Sequence, residues 1–213
     1  MLKEKDFIEI AYTGRIKETN QVFDTTDINV AKKENIYNEN FTYIPRIICV
    51  GQKHILQFID KNLIGKKVND SFILELTPEN GFGLKDQNLV KVVSTNELRE
   101  QKINPFPGLQ LNASGLLGTV RSVNGGRTTI DFNHPLAGKN LVYEIKINKL
   151  ITENKEKLVG LLNNLLGLNS KDYELKLENN KAEVNLKSKI PENFKEEFKK
   201  KVKELIPELE TNI

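Results

Sequence analysis

One cysteine, Cys49, in 213 residues excludes an intrachain disulfide, and its apolar neighbours point to a buried, inert thiol. The only two histidines, His54 and His134, combine with it in neither a CxxC nor an HExxH pattern. No metal and no cofactor is therefore expected, and both histidines read as ordinary surface residues. There is no GxSxG elbow for a nucleophilic serine. Phosphate loops are missing too, since Asn124-Gly125-Gly126-Arg127 fits neither GxGxxG nor GxxxxGKS. Arginine is scarce: Arg15, Arg46, Arg99, Arg121 and Arg127 stand apart, and 32 basic residues alternate with 29 acidic ones for a net charge of +3. Such a surface offers no basic face to a phosphate backbone, so no nucleic-acid partner is expected. No stretch approaches the roughly 18 apolar residues of a spanning helix. The longest, Ile44 to Val50, contains Pro45 and Arg46. The first residues, Met1 to Asp6, run into charge without the apolar core of a signal peptide. A cytoplasmic protein with no membrane partner is the expectation.

What is present falls into three regions. Up to residue 84 the pattern is strands and turns with one helix. Phe7 to Tyr12 alternates imperfectly, Thr13-Gly14-Arg15 reads as a turn or bulge, and Val22 and Phe23 resume extended chain. Residues 27–43 are polar and rich in Asn and Lys, a long surface loop by composition. Ile55, Ile59 and Leu63, four apart, predict a short helix over 54–63 stopped by Gly65. Residues 71–76 read as a strand closed by Pro78.

A second set of strands follows at 89–93, 116–120 and 128–130, with a short charged helix at 95–101 and a hairpin turn at Asn124-Gly125-Gly126. The strand at 140–147 belongs with the first region, and a structureless connection of that length is improbable in a compact domain. A small β-rich domain inserted over 85–127 accounts for it, leaving 1–84 plus 128–151 as the main domain. From residue 152 the composition shifts to 12 lysines, 12 acidic residues and no arginine. Leu158, Leu161, Leu162, Leu165 and Leu166 form a helical stripe ended by Gly167. Two alternating strands join at Asn179-Asn180, and Pro191 opens a helix with Phe194, Phe198, Val202 and Leu205 on one face. An αββα unit over 152–213 is marginal alone, so it is expected to dock on the body or to pair with a second chain as a homodimer.

Polar catalysis has little support in this inventory. What stands out instead is a dispersed set of aromatic and aliphatic residues with one carboxylate, Asp24, after Phe23. Taken singly these are ordinary core. Their order carries more: Tyr12-Thr13-Gly14, Val22-Phe23-Asp24-Thr25-Thr26, the run Val50-Gly51-Gln52 through Ile64-Gly65, Pro78-Glu79-Asn80-Gly81-Phe82-Gly83, and Asp131-Phe132-Asn133-His134-Pro135-Leu136-Ala137-Gly138. This series resembles the FKBP-type peptidyl-prolyl isomerases over about residues 5–150, and its last segment resembles their SlyD-like branch. The tail from Thr152 resembles the extension of long archaeal members.

The resemblance implies an α+β fold, with a half-wrapped antiparallel β-sheet around one helix, an inserted domain in the flap, and the αββα extension. It implies a proline pocket lined by Tyr12, Phe23, Asp24, Leu56, Ile59, Phe82, Leu136 and Tyr143. Of these, Tyr12, Asp24, Phe82 and Tyr143 would act on the reacting amide, and Phe23, Leu56, Ile59 and Leu136 would hold the ring. Three positions depart from the commoner family pattern: Ile59 for tryptophan, Phe82 for tyrosine and Tyr143 for phenylalanine. The implied activity is rotation about X-Pro bonds in folding proteins. The inserted domain would capture unfolded segments through Leu89, Val90, Val92 and Leu116, neighbours such as Val93, Leu109, Leu111 and Leu117 being shared with its own core. Partners would be unfolded or partly folded proteins and proline-containing peptides. The alternative is a non-catalytic holding module that binds such segments without accelerating rotation.

Overall fold

The computed structural model describes residues 1–113 and 115–213. The first stretch holds β1 (Phe7–Ile16), β2 (Val22–Thr25), α1 (Ile28–Lys33), β3 (Arg46–Cys49), α2 (Gln57–Leu63) and β4 (Ser71–Leu76). Next come β5 (Val90–Ser94), α3 (Thr95–Glu100), β6 (Gln110–Ala113), β7 (Leu116–Asn124) and β8 (Arg127–Asp131). The remainder is β9 (Leu141–Leu150), α4 (Asn154–Leu166), β10 (Tyr173–Glu178), β11 (Lys181–Leu186), α5 (Glu192–Leu205) and β12 (Glu210–Asn212). This is a mixed α/β chain with antiparallel sheets and few helices. It divides into two compact units, residues 1–76 with 141–213, and residues 77–140.

In the first unit β9 lies between β1 and β4, while β2 and β3 share the other edge of β1, all antiparallel. Alternation dictates the buried face. Ile8, Ile10, Tyr12 and Ile16 of β1 are buried with Leu141, Tyr143, Ile145 and Ile147 of β9. Residues 13–15 continue β1 to Ile16, and the expected irregularity appears as a register shift after Gly14 against β2. At the far end of the sheet Leu76 pairs with Leu141, so the chain leaves and re-enters at adjacent residues. The polar stretch expected as loop contains α1, because Asp27 caps it by accepting the Asn29 N–H at 2.7 Å and Ala31 is buried. The predicted helix over 54–63 forms only from Gln57, with Leu56 as its N-cap. Its buried Asp60 accepts the backbone N–H groups of Gly51 (2.9 Å) and Lys53 (2.8 Å), which tie the preceding loop to the helix.

The C-terminal segment docks on this body. Phe7 and Cys49, paired across β1 and β3, share one core with Ile151, Leu158, Leu161, Leu162, Tyr173 and Phe198. Each fully buried leucine here is worth about 2 kcal/mol. Close approach depends on Gly160: a Cβ there would lie 2.7 Å from Ile47 Cγ2. Helix α4 ends at Gly167 with φ 66°, whose N–H reaches the Asn163 carbonyl at 3.0 Å. The predicted stripes are buried in part, since Leu165 and Phe194 are exposed while Phe198, Val202 and Leu205 are covered. Strand β12 was not signalled by alternation. It pairs parallel to β11 and gives the segment a third strand.

The 77–140 unit is a four-stranded antiparallel sheet ordered β5-β8-β7-β6. Its core is Leu98, Val120 and Ile130, flanked by half-buried Val93, Leu109, Leu111 and Phe132. The limits expected at 84/85 and 127/128 fall inside it, because β8 pairs with both β5 and β7. Buried Asp131 holds Arg121 (2.9 Å), Lys85 (3.3 Å) and the Asn133 amide (2.8 Å). Burial pushes its pKa up, but the hydrogen bonds from Asn133, Arg121 and Lys85 outweigh that and hold the carboxyl well below the usual range.

Candidate functional site

Tyr12 is fixed before its ring is considered. The Thr26 N–H and hydroxyl both donate to the Tyr12 carbonyl, and the Tyr12 N–H donates to Thr26 Oγ1 at 2.9 Å. Register then sets the neighbours: Gly14 pairs with Asp24 on one side and with Tyr143 on the other. A Cβ on Gly14 would sit 2.7 Å from Phe23 Cζ and 3.1 Å from Tyr143 Cε1. The missing side chain is what admits both rings. Phe23 meets Tyr143 edge-on at 5.7 Å, and Tyr12 lies tilted to Tyr143 at 5.9 Å, arrangements favoured by ring quadrupoles. The Tyr12 hydroxyl donates to Asp24 Oδ2 at 3.0 Å.

Burial raises the pKa of both tyrosines, and the Asp24 charge adds to the effect, so the phenols stay protonated. Arg46 works the other way on Tyr12, by hydrogen bond and charge. A cavity of about 670 Å³ opens beside Tyr12, Phe23 and Asp24, lined further by Tyr43, Ile44, Arg46 and the start of the C-terminal segment. Four of the eight expected pocket residues, Tyr12, Phe23, Asp24 and Tyr143, thus come together. Ile59 is fully buried, and Leu56 is half-buried at the start of α2. Phe82 and Leu136 belong to the 77–140 unit, where the Phe82 ring stacks flat on His134 with centroids 4.4 Å apart. Arg46 was missed, because one arginine in an apolar run carries no motif.

Elsewhere the chemistry is quiet. Cys49 is fully buried, and burial pushes its thiol up to about 12. His54 is no surface histidine: half-buried, its Nδ1 accepts the Cys49 N–H at 3.1 Å, and burial lowers its pKa. No group of three or more His, Cys, Asp or Glu among the described residues is placed to hold a metal ion. No helix among them is long and apolar enough to cross a membrane. Of the expected capture residues, Leu89, Val92 and Leu116 are exposed and Val90 is half-buried. Leu84, Phe106 and Leu117 extend that exposed set.

The site thus gathers three aromatic rings and one exposed carboxylate on an antiparallel sheet. Comparison with known proteins finds the following similarities. The family model described as "FKBP26, IF domain" matches residues 91–136. A short-type peptidyl-prolyl cis-trans isomerase of Methanocaldococcus jannaschii is 29% identical over 147 residues, 69% of this chain and 92% of that protein. An FKBP-type 16 kDa peptidyl-prolyl cis-trans isomerase of Escherichia coli is 28% identical over 107 residues, 48% of this chain and 72% of that protein. The SlyD isomerase of Aeromonas hydrophila is 27% identical over 124 residues, 54% and 55% of the two chains. This chain is similar to FKBP-type peptidyl-prolyl cis-trans isomerases.

Proposed function

We propose that this chain is a peptidyl-prolyl cis-trans isomerase acting on proline-containing segments of folding proteins, with Tyr12, Phe23, Asp24 and Tyr143 at its proline site. The observation that carries the reading is the Tyr12–Phe23–Tyr143 cluster around Gly14, with Asp24 bonded to Tyr12. Rotation about X-Pro opposes a barrier of about 18–20 kcal/mol, because the planar amide loses resonance. No proton transfer or nucleophile is needed. An apolar site favours the twisted amide, whose charge separation is smaller than that of the planar form, and about 4 kcal/mol of differential binding gives about a thousandfold acceleration. Protonated phenols and one carboxylate are suited to grip the prolyl carbonyl region without reacting with it. Leu56, Ile59, Phe82 and Leu136 complete the proposed pocket on the strength of motif position.

The finer architecture belongs to the same proposal: a half-wrapped sheet in 1–76 and 141–151, a capture domain within 77–140, and an extension in 152–213 that also supplies a homodimer contact. Exposed Leu89, Val92, Leu116 and Leu117 support capture of extended chain. The reading is tested by cis/trans exchange of a short Ala-Leu-Pro-Phe-type peptide, followed by NMR with catalytic amounts of protein. Faster exchange is expected. Binding seen as shifted peptide signals without faster exchange would leave the holding module. Asp24→Ala should lower turnover about tenfold with the melting temperature kept, since Asp24 is exposed. Unchanged turnover would return Asp24 to a structural role. Deleting 85–127 should spare short-peptide turnover while refolding of a proline-limited protein slows; equal loss on both substrates would sink the division of labour.

A further inference from the structure

The cavity beside Tyr12 and Asp24 is lined also by the C-terminal segment, through Val159, Gly160 and Asn163 of α4 and Tyr173 of β10. From Arg46 on its wall a polar bridge joins residues 118 positions apart: Arg46 Nη2 donates to Asn164 Oδ1 at 3.0 Å. The other end of the same amide, Nδ2, donates to the Ile47 carbonyl at 2.7 Å. One side chain therefore grips two successive residues of β3. The helix makes this possible. Gly160 sets the height of α4 over Ile47, and Asn164, four residues later, falls on the same face one turn on. The Arg46 guanidinium, so held, lines the same cavity as Tyr12 and Asp24, whose hydroxyl and carboxylate are hydrogen-bonded to each other. A guanidinium projects its donors in fixed directions, so anchoring one nitrogen aims the rest.

We propose that Asn164 is a positioning residue for the proline site, and that the C-terminal segment acts on that site by holding Arg46 in the cavity it shares with the Tyr12–Asp24 pair. The proposal rests on the isomerase reading above. It gives residues 152–213 a part in the reaction beyond covering one edge of the body: the direction in which Tyr12 and Asp24 present their oxygens to a prolyl carbonyl depends on an amide in α4.

A double-mutant cycle on the full chain tests it, with Arg46→Leu, Asn164→Leu and the pair assayed for kcat and KM on the proline peptide. Asn164→Leu should lower kcat about fivefold with KM little changed. In the Arg46→Leu background it should have no further effect, because its route to the site is gone. The same fivefold loss in both backgrounds would overturn the proposal and leave Asn164 as a docking contact. Asn164→Asp keeps an acceptor for the guanidinium, so it should recover most of kcat; it also serves if the leucine variant fails to fold. Loss in Asn164→Asp equal to that in Asn164→Leu would count against the proposal. The ring signal of Tyr12 in tyrosine-labelled protein gives a readout independent of turnover. It should move alike in Arg46→Leu and Asn164→Leu, and a Tyr12 signal untouched by Asn164→Leu overturns the chain of contacts. Absence of peptide exchange in the unaltered protein would instead sink the isomerase reading, with the Tyr12 signal still deciding the role of Asn164.

Discussion

The two compact units of this molecule treat apolar residues differently. In the 1–76 and 141–213 unit, large side chains such as Ile8, Ile10, Leu76, Ile147 and Leu161 are withdrawn from solvent completely or nearly so. In the 77–140 unit a core of Leu98, Val120 and Ile130 suffices, while Leu84, Val92, Phe106 and Leu116 are each more than half exposed. A sheet that must hold three rings and a carboxylate in register needs dense packing around it. The 77–140 sheet leaves apolar surface exposed at the expense of core, and leans on polar ties such as Asp131 with Arg121.

That contrast can be broken at its weakest point first. Ile130→Ala should cost about 3 kcal/mol, and with so few core residues to share the loss it should open the 77–140 unit. Hydrogen exchange is expected to show β5 to β8 losing protection while β1 and β9 keep theirs; uniform loss would mean that the two sheets unfold as one. Asp131→Asn should cost about 2 kcal/mol by leaving Arg121 and Lys85 without their carboxylate. Because the folded state lowers the Asp131 pKa, its contribution is complete above the ordinary carboxylate value near 4 and shrinks as pH falls below it. Acid should therefore loosen this unit in the unaltered protein and have less further effect on the asparagine variant, as followed by near-ultraviolet and amide signals between pH 5 and 2. Gly14→Ala should be milder, about 1–2 kcal/mol, because the new methyl meets the movable end of the Phe23 ring. Its effect on peptide turnover should exceed its effect on the melting temperature; the reverse would make Gly14 a matter of packing alone.

Much of this was legible along the chain. Tyr12, Phe23 and Asp24 stand in short runs whose neighbours, Gly14 and Thr26, turn out to hold them. Strands with clean alternation, such as β10 and β11, declare themselves by period. Elements made by tertiary contact do not. Strand β12 is three residues set beside β11 by α5. Helix α1 hides in polar composition behind one capping aspartate. Arg46 and Asn164 acquire meaning only when a glycine, distant from β3 in sequence, lets α4 settle on Ile47. The two histidines show the same limit, since only the fold separates half-buried His54 from exposed His134.

The pairing of Leu76 with Leu141 has a consequence for how such a molecule can change. Joining the ends of a long segment normally carries an entropic penalty that grows with the logarithm of its length. Here the sheet has already brought those ends side by side, so β4 and β9 meet as a hairpin whatever the connection contains. Residues 77–140 could lengthen, shorten or be exchanged for another compact segment with little change in the cost of closing the sheet. The proposed proline site and the proposed capture unit are thus free to diversify at different rates within one chain.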